Sequence, residues 1–182
     1  FCCTGVSGVW NSHVASGSGK FVVKWEEGRE ASVMKAVIQR VLEASVSISG
    51  HVHSEIGPGM LVLVGLEQGD GQPDVDRMVN KIAGLRIFED EDGKMNRSVV
   101  DAGGSILMVS QFTIAGSIEK GRRPSFDHAM DPDQARSLFD YAVTRMEASG
   151  IPVKTGSFGA MMRVALINDG PATFLYDREP GT

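Results

Sequence analysis

The sequence predicts an α+β domain: a dominant sheet, mostly antiparallel or mixed, with two helices. Three observations point there. Residues 44–49 alternate strictly, with Val46 and Ile48 on one face and Ser45, Ser47 and Ser49 on the other, as in a half-buried strand. Residues 60–64 form a short continuous apolar run, as in a fully buried strand. Helical spacing is confined to two later segments.

In chain order, residues 1–33 are rich in Gly, Ser and Val and lack periodicity. They are expected to be an extension, disordered or non-native to the fold, with an extra strand at 20–25 as the alternative. They show no basic region followed by a long apolar stretch, as a secretory signal would, and Glu26, Glu27 and Glu30 speak against a transit peptide. The folded domain is expected to span 34–182. Residues 35–42 are β-rich and precede the alternating stretch at 44–49. Gly57-Pro58-Gly59 is a turn before the buried run. Val75, Met78, Val79, Ile82 and Leu85 follow helical spacing after Pro73. Residues 90–93, Asp-Glu-Asp-Gly, read as a hairpin turn. A further β run covers 105–113. Asp131 and Pro132 read as the N-cap and first residue of a second helix, and Gly150 as its stop. Ala135, Leu138, Phe139, Ala142 and Met146 make its apolar stripe. Two final β runs flank Gly170-Pro171, giving six or seven strands in all. Asn168-Asp169-Gly170-Pro171 is turn chemistry, so a hairpin would account for it.

Composition narrows the function classes. The chain has 182 residues, of which 42% are hydrophobic and 23% charged, which suits one globular domain with its own core. A net charge of -5 is not that of a nonspecific nucleic-acid binder, and no DNA partner is expected. The two cysteines are adjacent, Cys2 and Cys3, so disulfides do not hold the fold, and four scattered His argue against zinc. No metal or cofactor is expected. No apolar run approaches the roughly 20 residues of a membrane helix, so no membrane partner is expected either.

Four motifs could carry chemistry. Ser110-Gln111-Phe112-Thr113 ends a strand whose upstream part is apolar, and strand ends are where a rigid scaffold presents functional groups. Taken alone, its hydroxyls are better explained by local backbone bonding in a turn. It holds no His or acid, so a Ser/His/Asp triad has no local support. Lys120, Arg122 and Arg123 form a dense basic cluster in a loop with Gly121 and Pro124, suited to phosphate contacts and equally to solvent. Asn96 and Arg97 could bind something polar or simply shape the hairpin before them. Gly170-Pro171 is a rigid unit that presents carbonyls without side-chain bulk. By itself it is a simple turn. The small residues that follow, Ala172 and Thr173, are unusual where a strand resumes.

Together, "VSQFTIAG", "KGRRPSF", "TGSFGAMM" and "NDGPATF" occur in the order and spacing of the D-aminoacyl-tRNA deacylase family. The earlier "AVIQRVLEASVSI", "IGPGMLVLVGL" and "LRIFEDEDGKMN" agree as well. The resemblance covers 34–182 and none of 1–33. It implies a compact β-barrel-like sheet with helices outside, a cytoplasmic homodimer, and hydrolysis of the ester joining a D-amino acid to the 3′-terminal adenosine of tRNA. Glycine mischarged onto tRNA is implied as a further substrate. By resemblance, Gly170 and Pro171 form a cis peptide that reaches into the partner subunit's pocket and sets its carbonyls against the substrate's α-carbon. A D-substituent then points to open space and an L-substituent meets the carbonyls. Ser110, Gln111, Phe112 and Thr113 are implied as the catalytic wall. Asn168, Ala172, Thr173 and Met162 are implied as lining the substrate pocket. Lys120, Arg122 and Arg123 are implied as tRNA-phosphate contacts. Thr113 matches the threonine once assigned as nucleophile. Neither motif supplies a base to activate it, so a water assisted by the terminal ribose 2′-OH is the better nucleophile. Ile114, Ala172 and Met161 depart from the residues usual at those positions.

Overall fold

The computed structural model describes residues 34–119 and 121–177. The segment 1–33, with the strand considered at 20–25, lies outside them, as does Lys120. The elements run β1 (Lys35–Ile48), β2 (His51–Ile56), β3 (Gly59–Gly65), α1 (Gln72–Ala83), β4 (Phe88–Glu89), β5 (Met95–Arg97) and β6 (Ser105–Ser110). A 3-10 turn (Phe112–Ala115), α2 (Pro132–Glu147), β7 (Val153–Thr155) and β8 (Met162–Asp177) complete the chain. One sheet has the order β2-β1-β3-β6-β7, with β8 along β1, and β4-β5 form a separate hairpin. β1 is antiparallel to β2, β3 and β8, whereas β6 is parallel to β3 and β7. This is the expected α+β architecture, a nearly closed, barrel-like mixed sheet with two helices.

Two expected boundaries give way to longer strands. Residues 35–42 and 44–49 form one strand, not two, which ends at Ile48, with Ser49 at φ +51 and Gly50 at φ +85 in the following turn. The pairing of β1 with β8 slips between Val41 and Glu43, a bulge that reverses the alternation. Before the bulge Ala36 and Ile38 point to the helix-covered core. After it Ala44 and Val46 join Val41 in the opposite core. The two β runs about Gly170-Pro171 are likewise one strand. Ile167 and Asn168 pair with Glu43 and Val41, and Thr173 and Phe174 pair with Gln39 and Ile38, so the chain keeps its direction through the motif and the expected hairpin does not form.

Each face of the sheet has its own core. Ala36, Ile38, Met60, Val62, Ile106 and Met108 pack under the helices against Met78, Val79, Phe139 and Ala142. Val41, Val46, Leu61, Leu107 and Val109 pack on the other face, with Met162, Val164 and Leu166 partly buried beside them. The helices end as their caps dictate. In α1 the Asp74 carboxylate accepts from Gly71 N–H at 3.0 Å. The helix stops at Ala83, so Leu85 lies beyond it rather than on its stripe. The Asp131 carboxylate accepts from Asp133 N–H at 3.0 Å, and Gly150 sits at φ +79 after α2.

The helices are tied to each other at the surface. Asp76 of α1 accepts from Arg145 Nε at 2.7 Å and from the Tyr141 hydroxyl at 3.0 Å, both on α2. The Arg145 bond, aided by the Tyr141 bond, holds the Asp76 carboxyl below its ordinary value. A depressed carboxyl contributes stability above its unfolded value and loses it as pH falls through the folded value. Asp76→Asn is therefore expected to be less stable than the parent at pH 7, with the gap closing below about pH 4; urea unfolding at several pH values measures it.

Candidate functional site

Two groups of motif residues stand at different levels of the sheet: the end of β6 is level with Val64 and Ala36, and the bulge in β8 is level with Arg40 and Met60. The first follows β6. Ser110 is its last residue, and Gln111 N–H donates to Val64 O at 2.8 Å, continuing the ladder by one rung. The chain then turns in the 3-10 segment, so Phe112 and Thr113 lie outside the strand that was expected to reach 113. Gln111 Nε2 donates to Thr113 Oγ1. Among the described residues no acid or His hydrogen-bonds to Ser110 or Thr113, so no base is in place to activate either hydroxyl. Phe112 is 62% exposed, and its ring lies 5.1 Å from that of Phe126, tilted by 55°.

Phe126 follows the basic loop. Ser117 and Ser125 pair across its base, each N–H donating to the other's carbonyl at 2.8 and 2.9 Å. The far end is fixed to β3's exit, where Gln68 Nε2 donates to Asp127 O at 2.9 Å and Gln68 N–H to His128 O at 2.8 Å. Arg122 and Arg123 are exposed on the arch so formed.

The second group is the interruption in β8. Asn168 pairs with Val41 and Thr173 with Gln39, so residues 169–172 face the single residue Arg40 and must bulge outward. The Gly170–Pro171 peptide bond is cis, and both residues are exposed, whereas Ala172 is buried at the base. A Cβ on Gly170 would stand 2.7 Å from Asn168 Nδ2, so glycine is required there unless the Asn168 amide moves.

Two residues that the motifs did not single out hold this bulge. Arg40 is 3% exposed, the one buried charged residue among those described. Its Nε donates to the Asp169 carbonyl and lies 3.0 Å from the Asp169 carboxylate, and its Nη1 donates to Ile87 O at 2.5 Å. Nη2 stands 3.7 Å from Glu89, so the guanidinium links the bulge to the β4–β5 hairpin. On the opposite face Gln39 Nε2 reaches Asn168 Oδ1 at 3.2 Å and Thr173 Oγ1 at 3.4 Å. Sequence alternation held a clue: Ala36 and Ile38 face inward, which sends Arg40 the same way and Gln39 to the other side.

The remaining sites lie apart. Met162 begins β8, about 20 Å along the strand from Asn168 at an extended rise, and packs beside Val164 and Leu166 in the second core. Asn96 and Arg97 shape the hairpin: Asn96 Nδ2 donates to Asp90 Oδ2 at 3.2 Å and Arg97 to Asp101 O. Among the described residues no hydrogen bond or ring contact joins the 110–113 group to the bulge within one chain.

Residues 37–177 match the family model described as D-Tyr-tRNA(Tyr) deacylase. The chain is similar to the D-aminoacyl-tRNA deacylase of Desulfitobacterium hafniense, 56% identical over 146 residues that cover 80% of this chain and 98% of that one. It is also 56% identical over 144 residues to the D-aminoacyl-tRNA deacylase of Geobacter sulfurreducens, covering 79% of this chain and 95% of the relative. Among solved structures, a c-Myc DNA unwinding element binding protein superposes with a TM-score of 0.75 at 41% identity, covering 81% of this chain and 99% of that one. A probable eukaryotic D-amino acid tRNA deacylase superposes with a TM-score of 0.71 at 16% identity, over 80% of this chain and 100% of that one, which is a likeness of fold alone.

Proposed function

Because the chain belongs to the D-Tyr-tRNA(Tyr) deacylase family of hydrolases, we propose that it hydrolyses the ester bond of D-aminoacyl-tRNA, releasing a free D-amino acid and tRNA. The observation that carries the reading is the exposed Gly170–Pro171 bulge, held from both faces of β8's neighbour strand by Gln39 and Arg40. A stiff carbonyl-bearing wall with no side chain at Gly170 suits rejection of one enantiomer by exclusion. A D-substituent clears the wall and an L-substituent meets it. Glycine presents nothing to reject, so glycyl-tRNA, including glycine mischarged on alanine tRNA, is a second substrate.

The protein acts as a homodimer, with the bulge of one subunit entering the partner's site beside residues 110–113. The lack of any bond between the two groups within one chain supports that arrangement. Phe112 offers its exposed face to the terminal adenine or the aminoacyl group. Backbone N–H groups at the end of β6 stabilise the oxyanion that forms as water attacks the ester carbonyl. The ribose 2′-OH assists that water, and positioning supplies most of the acceleration. Lys120, Arg122 and Arg123 meet tRNA phosphates. Asn168, Ala172 and Thr173 line the aminoacyl pocket from the entering bulge, and Met162, packed in the cluster of Val109, lines it from the receiving subunit. The net charge of -5 does not favour nonspecific binding to DNA. No helix among the described residues is long and apolar enough to cross a membrane, and the reaction belongs where tRNA is charged, in the cytoplasm.

Paired assays with D- and L-tyrosyl-tRNA test the reading. Release of tyrosine from the D-form and none from the L-form is expected. Equal hydrolysis of both, or tRNA binding with no hydrolysis, counts against it. Thr113→Val in the same assay is expected to retain activity within about tenfold, the most that one net hydrogen bond is worth. A loss of roughly a thousandfold or more would restore Thr113 as nucleophile.

A further inference from the structure

We infer that Gln39 is a positioning residue for enantiomer selection: its side-chain amide closes the neck of the Gly170–Pro171 bulge and orients the group on which Gly170 rests. The inference depends on the reading above, in which that bulge is the selective wall. The register sets the problem. Asn168 and Thr173 are the last ladder residues before the bulge and the first after it, and they meet β1 only two residues apart. Four residues between them therefore loop out from a narrow base. Such a loop can swing unless its neck is fixed.

Gln39 fixes it with one nitrogen. An amide NH2 carries two donors. The Gln39 donors reach Asn168 Oδ1 at 3.2 Å on one side of the neck and Thr173 Oγ1 at 3.4 Å on the other. The Thr173 hydroxyl can donate in turn to Asn168 Oδ1 at 3.5 Å, closing a three-membered polar ring. The ring has a second effect. Holding Asn168 by its oxygen turns its Nδ2 toward Gly170, 2.7 Å from where a Cβ would be. Asn168 thus fills the space under Gly170, and Gln39 decides how it does so. Arg40 grips Asp169 from the other face and cannot replace this contact, since adjacent strand residues point to opposite sides.

Gln39→Leu keeps the bulk and removes both donors. The ratio of D- to L-tyrosyl-tRNA hydrolysis is expected to fall about tenfold, the worth of two net hydrogen bonds. The Gly170 amide signal in a 1H–15N NMR spectrum is expected to move, while signals from α1 and α2 stay in place. A general loss of folding would move all of them together. A ratio within about twofold of the parent's overturns the inference, and so does a fallen ratio with an unmoved Gly170 signal. If the parent itself hydrolyses both enantiomers alike, the deacylase reading fails, and the Gly170 signal alone decides whether Gln39 sets the bulge. Should Gln39→Leu not fold, Thr173→Val removes one of the two acceptors, with the same expected and overturning outcomes.

Discussion

Arg40→Met is expected to lose about 2–4 kcal/mol of stability and to hydrolyse L-tyrosyl-tRNA measurably where the parent does not. The methionine fills similar space but leaves the Asp169 and Ile87 carbonyls without their donor. The full penalty for breaking a buried ion pair does not apply, because the partner carboxylates of Asp169 and Glu89 are 42% and 61% exposed and rehydrate. The cost comes mainly from the stranded carbonyls. Arg40→Lys is expected to fall between the two, since a single ammonium cannot reach the bulge and the hairpin at once as a guanidinium fork does. Urea unfolding together with the paired deacylation assay reads both effects. A variant as stable and as selective as the parent would show that the guanidinium is a bystander.

Gly59→Ala is expected to cost about 3 kcal/mol or more, the upper end for overpacking, without touching any residue of the site. Gly59 opens β3 opposite Ser105, the first residue of β6. A Cβ there would lie 1.9 Å from the Ser105 carbonyl oxygen and 2.8 Å from its nitrogen. Both are backbone atoms in the ladder, so relief requires separating two parallel strands rather than turning a side chain. Ser105 N–H also donates to Pro58 O at 3.2 Å, which ties the same point to the turn before β3. The midpoint of urea unfolding should drop sharply. An unchanged midpoint would mean that the two strands separate there at little cost.

Local chemistry explains which parts of this molecule were legible in the sequence. Asp131, Pro132 and Gly150 mark the ends of α2 because capping and the left-handed stop act within a few residues. The buried run at 60–64 is a strand for the same reason. The strand breaks at 42–44 and 168–173 misled, because a bulge and a turn share the same local signals, an interrupted alternation or a Gly-Pro pair. Which one forms is settled by a partner far along the chain: residues on both sides of Gly170 pair with β1, some 130 positions away. The end of β6 misled for a related reason, since only Val64 receives the Gln111 N–H before the chain turns. Of the site, the motif residues were visible as motifs. The residues that hold the bulge were not, because Gln39 and Arg40 act on Asn168, Asp169 and Thr173 across the sheet.

The interruption in β8 bears on solubility as well. Among the described residues β8 pairs with β1 alone, and its side chains Ile167 and Leu175 are exposed. A sixteen-residue strand open along one side would invite fibre growth by endless addition of like strands. The bulge at 169–172 divides that strand into two short stretches, 162–168 and 173–177, each paired separately along β1. The protein can therefore keep a long strand on its rim without becoming a seed for its own aggregation.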